Sequence, residues 1–258
     1  MDIWVMNADG SGKHRLHRIE RPMSYFEGQD REPVPRWSAD GKTILVGGAE
    51  FTKTTRRSGP RWRRTGAAIA VPTNGGAPRT LFLARGRAIV DPQFSPTGKL
   101  VAFIGSGQQA SKLYVARTDG SRPRAVAAAE GHFDWSPDGR RLVFWQRVHE
   151  YGLPNTDLHV VNVDGSGLRR LTPYRADIDT SGETPSWSPD GNSIIYKSGT
   201  RFDKDGLPNP TGTVVDDHFA VVDVDGSHLH LVGPQKKDCS MGAFMRVCRP
   251  DAPGWQPR

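Results

Sequence analysis

This 258-residue sequence predicts an all-β fold of repeated four-stranded antiparallel sheets, on three observations. A turn phrase recurs four times, as Trp37-Ser38-Ala39-Asp40-Gly41, Phe94-Ser95-Pro96-Thr97-Gly98, Trp135-Ser136-Pro137-Asp138-Gly139 and Trp187-Ser188-Pro189-Asp190-Gly191. A second phrase interleaves with it, as Asn7-Ala8-Asp9-Gly10-Ser11, Thr73-Asn74-Gly75-Gly76, Thr118-Asp119-Gly120-Ser121, Val163-Asp164-Gly165-Ser166 and Val224-Asp225-Gly226-Ser227. No stretch sustains the 3.6-residue apolar period of a helix. The four ring positions lie 57, 41 and 52 residues apart, which suits four-stranded blades better than helical or leucine-rich repeats. A lone sheet of this size leaves two apolar faces in water, whereas sheets packed radially cover both. The expectation is a β-propeller of four complete blades and a partial blade shared by the two termini.

Within each repeat, strand a ends on the Trp or Phe and the Ser-Pro-Asp-Gly turn follows. Proline presets φ, Asp suits the next position and Gly takes the left-handed residue, so a three-residue hairpin loop with a glycine bulge is expected. Strand b then spans 43–46, 100–104, 142–145 or 193–196. A variable loop leads to strand c at 67–71, 113–116, 158–163 or 219–224, and the Asp-Gly-Ser turn passes to strand d. The recurrent ring is expected to wedge between neighbouring blades as core.

The blades are placed at about 32–83, 90–127, 131–171 and 183–232, within a single domain of residues 1–258. Residues 1–19 read as strands c and d of a partial blade, and 252–256, around Trp255, as a closing strand a. Strand b of that blade is missing from the count. Either the ring has five blades with a defective closing blade, or the sequence is part of a six- or seven-bladed propeller, and the second arrangement is preferred. The incomplete blade predicts a monomer or weak self-association.

Composition narrows the field. Gly 29 and Pro 20 favour tight turns over long helices, and 36% hydrophobic residues suffice for a packed core. Net charge is +7, from 35 Lys and Arg against 28 Asp and Glu, too mild to identify an anionic partner. No apolar run reaches the ~18 residues of a membrane span, and Met1 to Met6 carries no export signal as written. Cys239 and Cys248, with eight residues between them, either close a small disulfide loop or stand as two thiols.

Strand geometry assigns the functional end. Both short turns fall at one end of each blade, and the long b–c and d–a loops, 51–66, 147–156, 199–218 and 233–252, fall at the other. Binding residues concentrate on such loops. Strand a is innermost, so Glu32, Arg36, Asp91, Gln93, His132, Asp134, Glu183 and Ser186 are expected along the channel or its mouth. These line either a water-filled polar channel or an oriented binding site, and His132, Asp134 and Asp91 form the best catalytic or metal constellation. The segment Lys53 to Arg64 interleaves Arg56, Arg57, Arg61, Arg63 and Arg64 with Trp62. That pattern suits a phosphate backbone with stacking, but mutual repulsion makes a solvated loop the preferred reading and nucleic acid a disfavoured partner. Asp203 and Asp205 open a calcium-loop-like phrase without the later carboxylates of an EF-hand. No cofactor, no metal site and no catalytic residue is assigned, since no nucleophile elbow, phosphate loop or His-Glu-x-x-His is present.

The segments from Leu158 to Thr172 and from Thr184 to Tyr196 resemble the TolB-type, WD-like propeller repeat, and the four recurrences extend the likeness along the chain. The resemblance implies an envelope or exported setting, periplasmic or extracellular, and a protein partner such as the lipoprotein of the Tol–Pal system. No N-terminal α/β domain of full TolB precedes the repeats, so propeller-mediated binding is expected rather than membership of that machinery. Some relatives precede a hydrolase domain in serine peptidases; no such domain follows the last repeat. The reading is a non-catalytic protein- or peptide-binding scaffold. Its rival is a channel-centred, metal-assisted lyase or hydrolase acting on a saccharide or lactone.

Overall fold

The computed structural model describes residues 2–18, 34–56, 59–107, 110–150, 153–172, 179–202 and 214–232. Every regular element among them is a strand, and the strands fall in two compact units. In the first unit, Met1–Ala128, β1 (Asp2–Val5) and β2 (His14–Arg18) form a two-stranded sheet. One four-stranded sheet follows from β3 (Arg36–Trp37), β4 (Thr43–Arg56), β5 (Gly59–Pro72) and β6 (Arg79–Arg85). Another is built by β7 (Arg87–Phe94), β8 (Leu100–Gly107), β9 (Lys112–Arg117) and β10 (Arg124–Ala128). The second unit, Ala129–Arg258, holds one sheet of β11 (Phe133–Trp135), β12 (Arg141–Glu150), β13 (Leu153–Asn162) and β14 (Arg169–Arg170). Its other sheet is β15 (Asp179–Trp187), β16 (Ser193–Phe202), β17 (Val214–Asp223) and β18 (His230–Val232). All four larger sheets are antiparallel meanders in chain order, the strand arrangement of propeller blades.

The a–b turns are built alike in all four sheets. The N–H of Ser38, Ser95, Ser136 and Ser188 donates to the carbonyl five residues on, and the turn glycine N–H donates back to the serine carbonyl. The glycines adopt φ of 66–74°, the left-handed region that a side chain resists. The serine hydroxyl replaces a backbone acceptor for Thr43, Leu100, Arg141 and Ser193, at 2.9–3.1 Å. It also donates to Asp40, Asp138 or Asp190 at 2.6 Å, while that carboxylate accepts the N–H two residues on. This loop is one residue longer than the three expected, because the hydroxyl fills the hydrogen bond that a tighter bulge would make. The three-residue loop belongs to the second phrase: Asn7, Arg117, Asn162 and Asp223 each bond a serine carbonyl four residues on, with the glycine between.

The sheets face one another through repeated positions. In the second unit Val143, Leu158, Val160 and Leu171 meet Trp187, Ile194, Tyr196, Ala220 and Val222 of the next sheet, all at least nine-tenths buried. In the first unit Leu45, Ala68, Ala70 and Phe82 meet Ile89, Val101, Phe103 and Ala116. Ile3, with Val5 and Leu16 beside it, packs on Ile44, Val46 and Val71. Each buried aliphatic side chain contributes about 1.5–3 kcal/mol, so these layers carry most of the favourable burial.

Two expectations need correction. Trp135 and Trp187 are 4% exposed, but Trp37, in the same phrase, is 55% exposed. Ile3, Val5 and Leu16 occupy the places of Leu158, Val160 and Leu171, counted from the turn glycines. The place of Val143 belongs to a strand b that the described β1–β2 sheet lacks, so the Trp37 ring has only part of its cover. The other correction concerns the b–c connections, expected as loops. Residues 51–56 and 59–66 continue β4 and β5 as an unbroken hairpin, with Phe51 opposite Arg64 and Arg56 opposite Gly59. Likewise 147–150 pair with 153–156, and 199–202 with 214–217. Threonine-rich stretches such as Thr52-Lys53-Thr54-Thr55 suit extended pairing, and their polarity disguised it. The segment 233–252 and the closing strand 252–256 lie outside the described residues.

These contacts set two expectations. Trp187→Ala costs about 3–5 kcal/mol in urea unfolding and Trp37→Ala less than about 1 kcal/mol; equal costs contradict the unequal cover. The second concerns pH. Asp40, Asp138 and Asp190 are held below the ordinary 3.8, first by the Ser38, Ser136 and Ser188 hydroxyls. Their contribution is complete above 3.8 and is lost as pH falls through the lower folded values. His159, buried against Phe144, is held below 6.5 by desolvation, so the unfolded chain takes up its proton first. Melting temperature therefore falls in two stages, below about 6.5 and again below about 3.8. His159→Gln removes the upper stage, and its persistence in that variant contradicts the assignment.

Candidate functional site

The first strand of each sheet carries several of the polar residues singled out from the sequence. In the first unit the Arg36 Nε–H donates to Asp91 Oδ1 at 3.0 Å, and Gln93 Nε2 donates to Asp91 Oδ2 at 2.9 Å. Asp91 is buried, while the Arg36 side chain is 41% exposed, so a fixed carboxylate anchors a cation that still reaches solvent. Asp91 has φ of 46°, an uncommon conformation for a residue other than glycine, and β7 shifts register between Val90 and Gln93. In β15, Thr184 occupies the same place three residues before the ring, with φ of 55° beside two register shifts. The bulge takes this position out of simple alternation, which periodicity alone does not reveal.

Glycine lets the sheets approach closely enough for the Arg36–Asp91 pair. A Cβ at Gly47 would stand 2.4 Å from Pro92 Cδ and 2.7 Å from the Ile89 carbonyl oxygen. A side chain there forces β4 away from β7, the strand that carries Asp91.

In the second unit Asp134 Oδ2 accepts the backbone N–H of Trp187 at 2.8 Å. Arg36 and Asp134 occupy the same place, one residue before the ring, and each reaches strand a of the next sheet. Both therefore tie consecutive sheets together. His132 and Ser186 are half-buried and hydrogen-bonded or otherwise engaged. Among the described residues no three His, Cys, Asp or Glu side chains group as a metal site.

Several expected site residues fall elsewhere. Glu32, Arg57, Asp203, Asp205, Cys239 and Cys248 lie outside the described residues, as do the side chains of Glu183, Arg56, Arg61, Trp62, Arg63 and Arg64. The backbone shows that the basic segment is a hairpin and not the solvated loop expected, with Lys53 opposite Trp62 and Thr54 opposite Arg61. Departures from the repeat phrase at Ala39 and Phe94 were the overlooked signal: both border a cleft at the turn end of the first unit.

The Arg36–Asp91 pair yields a direct expectation. Arg36→Ala removes the cation from a buried carboxylate and costs about 1–3 kcal/mol in denaturant unfolding. In that background Asp91→Asn, which tolerates positive φ, restores part of the loss; a further loss contradicts the pairing.

With this geometry in place, comparison with known proteins is informative. The TolB β-propeller domain family matches residues 64–209, more than half of the chain. The uncharacterized peptidase YuxL of Bacillus subtilis (strain 168) is 31% identical over 117 residues, covering 42% of this chain and 17% of that protein. An uncharacterized protein of Agrobacterium fabrum is 26% identical over 169 residues, covering 64% of this chain and 53% of the other. The chain thus spans about half or less of the length of these curated relatives. The crystal structure of TolB from Acinetobacter baumannii aligns over 90% of this chain and 49% of that one, with a TM-score of 0.58 and 16% identity, a likeness of fold. Repeated turns, four antiparallel meanders and the family match agree: the chain belongs to the TolB β-propeller domain family.

Proposed function

We propose that this protein is a non-catalytic protein- or peptide-binding scaffold, acting in an envelope or exported setting and holding its partner at the b–c end of its sheets. The supporting observation is the contrast between the two ends. At the turn end one backbone hydrogen-bond pattern is repeated in all four larger sheets. At the other end β4 and β5 run for 14 residues each, β12, β13, β16 and β17 for 10 each, and β8 and β9 for only 8 and 6. A rigid scaffold with unequal projections at one end suits recognition of a shaped partner. Within each unit by itself, the proposal adds the residues that precede the ring: Glu32, Arg36, Asp91 and Gln93 in the first, and His132, Asp134, Glu183 and Ser186 in the second. No helix among the described residues is long and apolar enough to cross a membrane.

The rival metal-assisted lyase or hydrolase needs His132 and Asp134 as ligands, and Asp134 already accepts the Trp187 N–H. Photo-cross-linkers at Thr54 and Val148 test the proposal against controls at Ser166 and Asn192, in the turns of the second unit. A discrete adduct from the hairpin positions, competed by unlabelled chain and absent from the turn positions, is expected. Adducts confined to the turn end overturn the assignment. So does divalent-metal-dependent lactone or glycoside turnover that His132→Ala abolishes.

A further inference from the structure

At the turn end of the first unit, a cleft of about 410 Å³ separates the β3–β6 sheet from the β7–β10 sheet. Ser38, Thr43, Thr97 and Thr118 supply hydroxyls, Ala70, Pro72 and Phe94 an apolar wall, and Asp40 and Arg79 charge. Its volume falls within the usual range for small-ligand sites.

The corresponding wedge of the second unit is closed, and the comparison shows what fills it. Counted from the turn glycines, Pro137, Arg141, Val160 and Trp187 stand where the first unit has Ala39, Thr43, Ala70 and Phe94. All four are larger. Trp187 is 4% exposed, and the Arg141 guanidinium lies 4.8 Å from the centre of its ring. Pro137 comes within 3.7 Å of where a Cβ on Gly191 would stand, whereas nothing lies within 4 Å of that point at Gly98.

The frame around the two wedges is otherwise shared. Arg79 donates to the Thr118 carbonyl at 3.3 Å, and Arg169 makes the same tie to the Val224 carbonyl. Asp40 and Asp138 stand at equivalent turn positions, each bonded to its serine hydroxyl. The cations Lys42 and Arg79 of the open wedge are matched by Arg140 and Arg169 around the closed one, where a guanidinium is nevertheless accommodated. The first unit keeps the frame and lacks the occupant.

We propose that the cleft beside Phe94 binds a guanidinium group, supplied by an arginine side chain of a peptide or protein partner, in the place that Arg141 fills beside Trp187. The planar cation stacks on the Phe94 ring, with the Asp40 carboxylate and the Ser38, Thr43 and Thr97 hydroxyls at its edge. This site is independent of the hairpin end, since the a–b and c–d turns border it.

The test titrates N-acetyl-L-arginine amide into the full chain while following the Ala39, Ala70 and Thr97 methyl signals by NMR. Saturable shifts at these methyls are expected, with a dissociation constant of about 1–10 mM for so small a probe. N-acetyl-L-citrulline amide, the uncharged isostere, is expected to bind at least about tenfold more weakly. Thr43→Arg, which supplies the guanidinium from within, and separately Ala70→Val, which narrows the wall, each weaken the arginine probe at least about tenfold. Absence of saturation, equal binding of the citrulline probe, or preference for N-acetyl-L-tryptophan amide overturns the guanidinium assignment. Undiminished affinity in a folded variant overturns the location.

Discussion

Each four-stranded sheet among the described residues carries apolar side chains on both faces, and the contact between consecutive sheets is what the rest of the structure depends on. A four-stranded meander cannot bury two faces alone. Leu158, Val160 and Leu171 of one sheet meet Trp187, Ile194 and Tyr196 of the next, and equivalent positions recur wherever two described sheets pack. The ring at the end of strand a marks the contact's edge. Trp187 is sealed where its neighbour supplies strand b, and Trp37 is open where the described neighbour supplies only strands c and d. The same ring in closely similar phrases thus shows opposite burial, because burial depends on the adjacent sheet.

The turns hold this stacking in register. A serine hydroxyl that both accepts a backbone N–H and donates to an aspartate fixes the a–b corner, and the Asp-Gly-Ser turn fixes c–d. Because both corners lie at one end, that end is conformationally uniform, and differences between sheets are displaced to the b–c hairpins. The exception is informative. Where Ala39, Thr43, Ala70 and Phe94 replace larger side chains, the uniform end opens into a cleft without disturbing the turns. The two proposed sites thus lie at opposite ends of a sheet, one on the projecting b–c strands and one in the under-filled wedge of the first unit.

Strand order, turn positions and the antiparallel meander were all legible in the sequence, because Ser-Pro-Asp-Gly and Asp-Gly-Ser encode backbone geometry locally. The pairing of 51–56 with 59–66 and of 199–202 with 214–217 was not, since polar, threonine-rich strands lack the apolar alternation that signals pairing to a core. The candidate site was legible in part. Counting back from the ring located Arg36, Asp91, Gln93 and Asp134 on the first strands of their sheets, but their partners depend on contacts between sheets. No local pattern announces that Asp91 adopts positive φ, or that Gly47 is the residue that lets Pro92 approach.

The most direct test of the central claim is a double-mutant cycle between Val160→Ala and Trp187→Phe. Together these substitutions give the closed wedge the side chains found at Ala70 and Phe94. If the inter-sheet wedge couples the sheets, urea unfolding returns an interaction energy of at least about 0.5 kcal/mol between the two sites. Strictly additive losses would mean that each sheet is stabilised on its own, and would contradict the dependence of one sheet on the next.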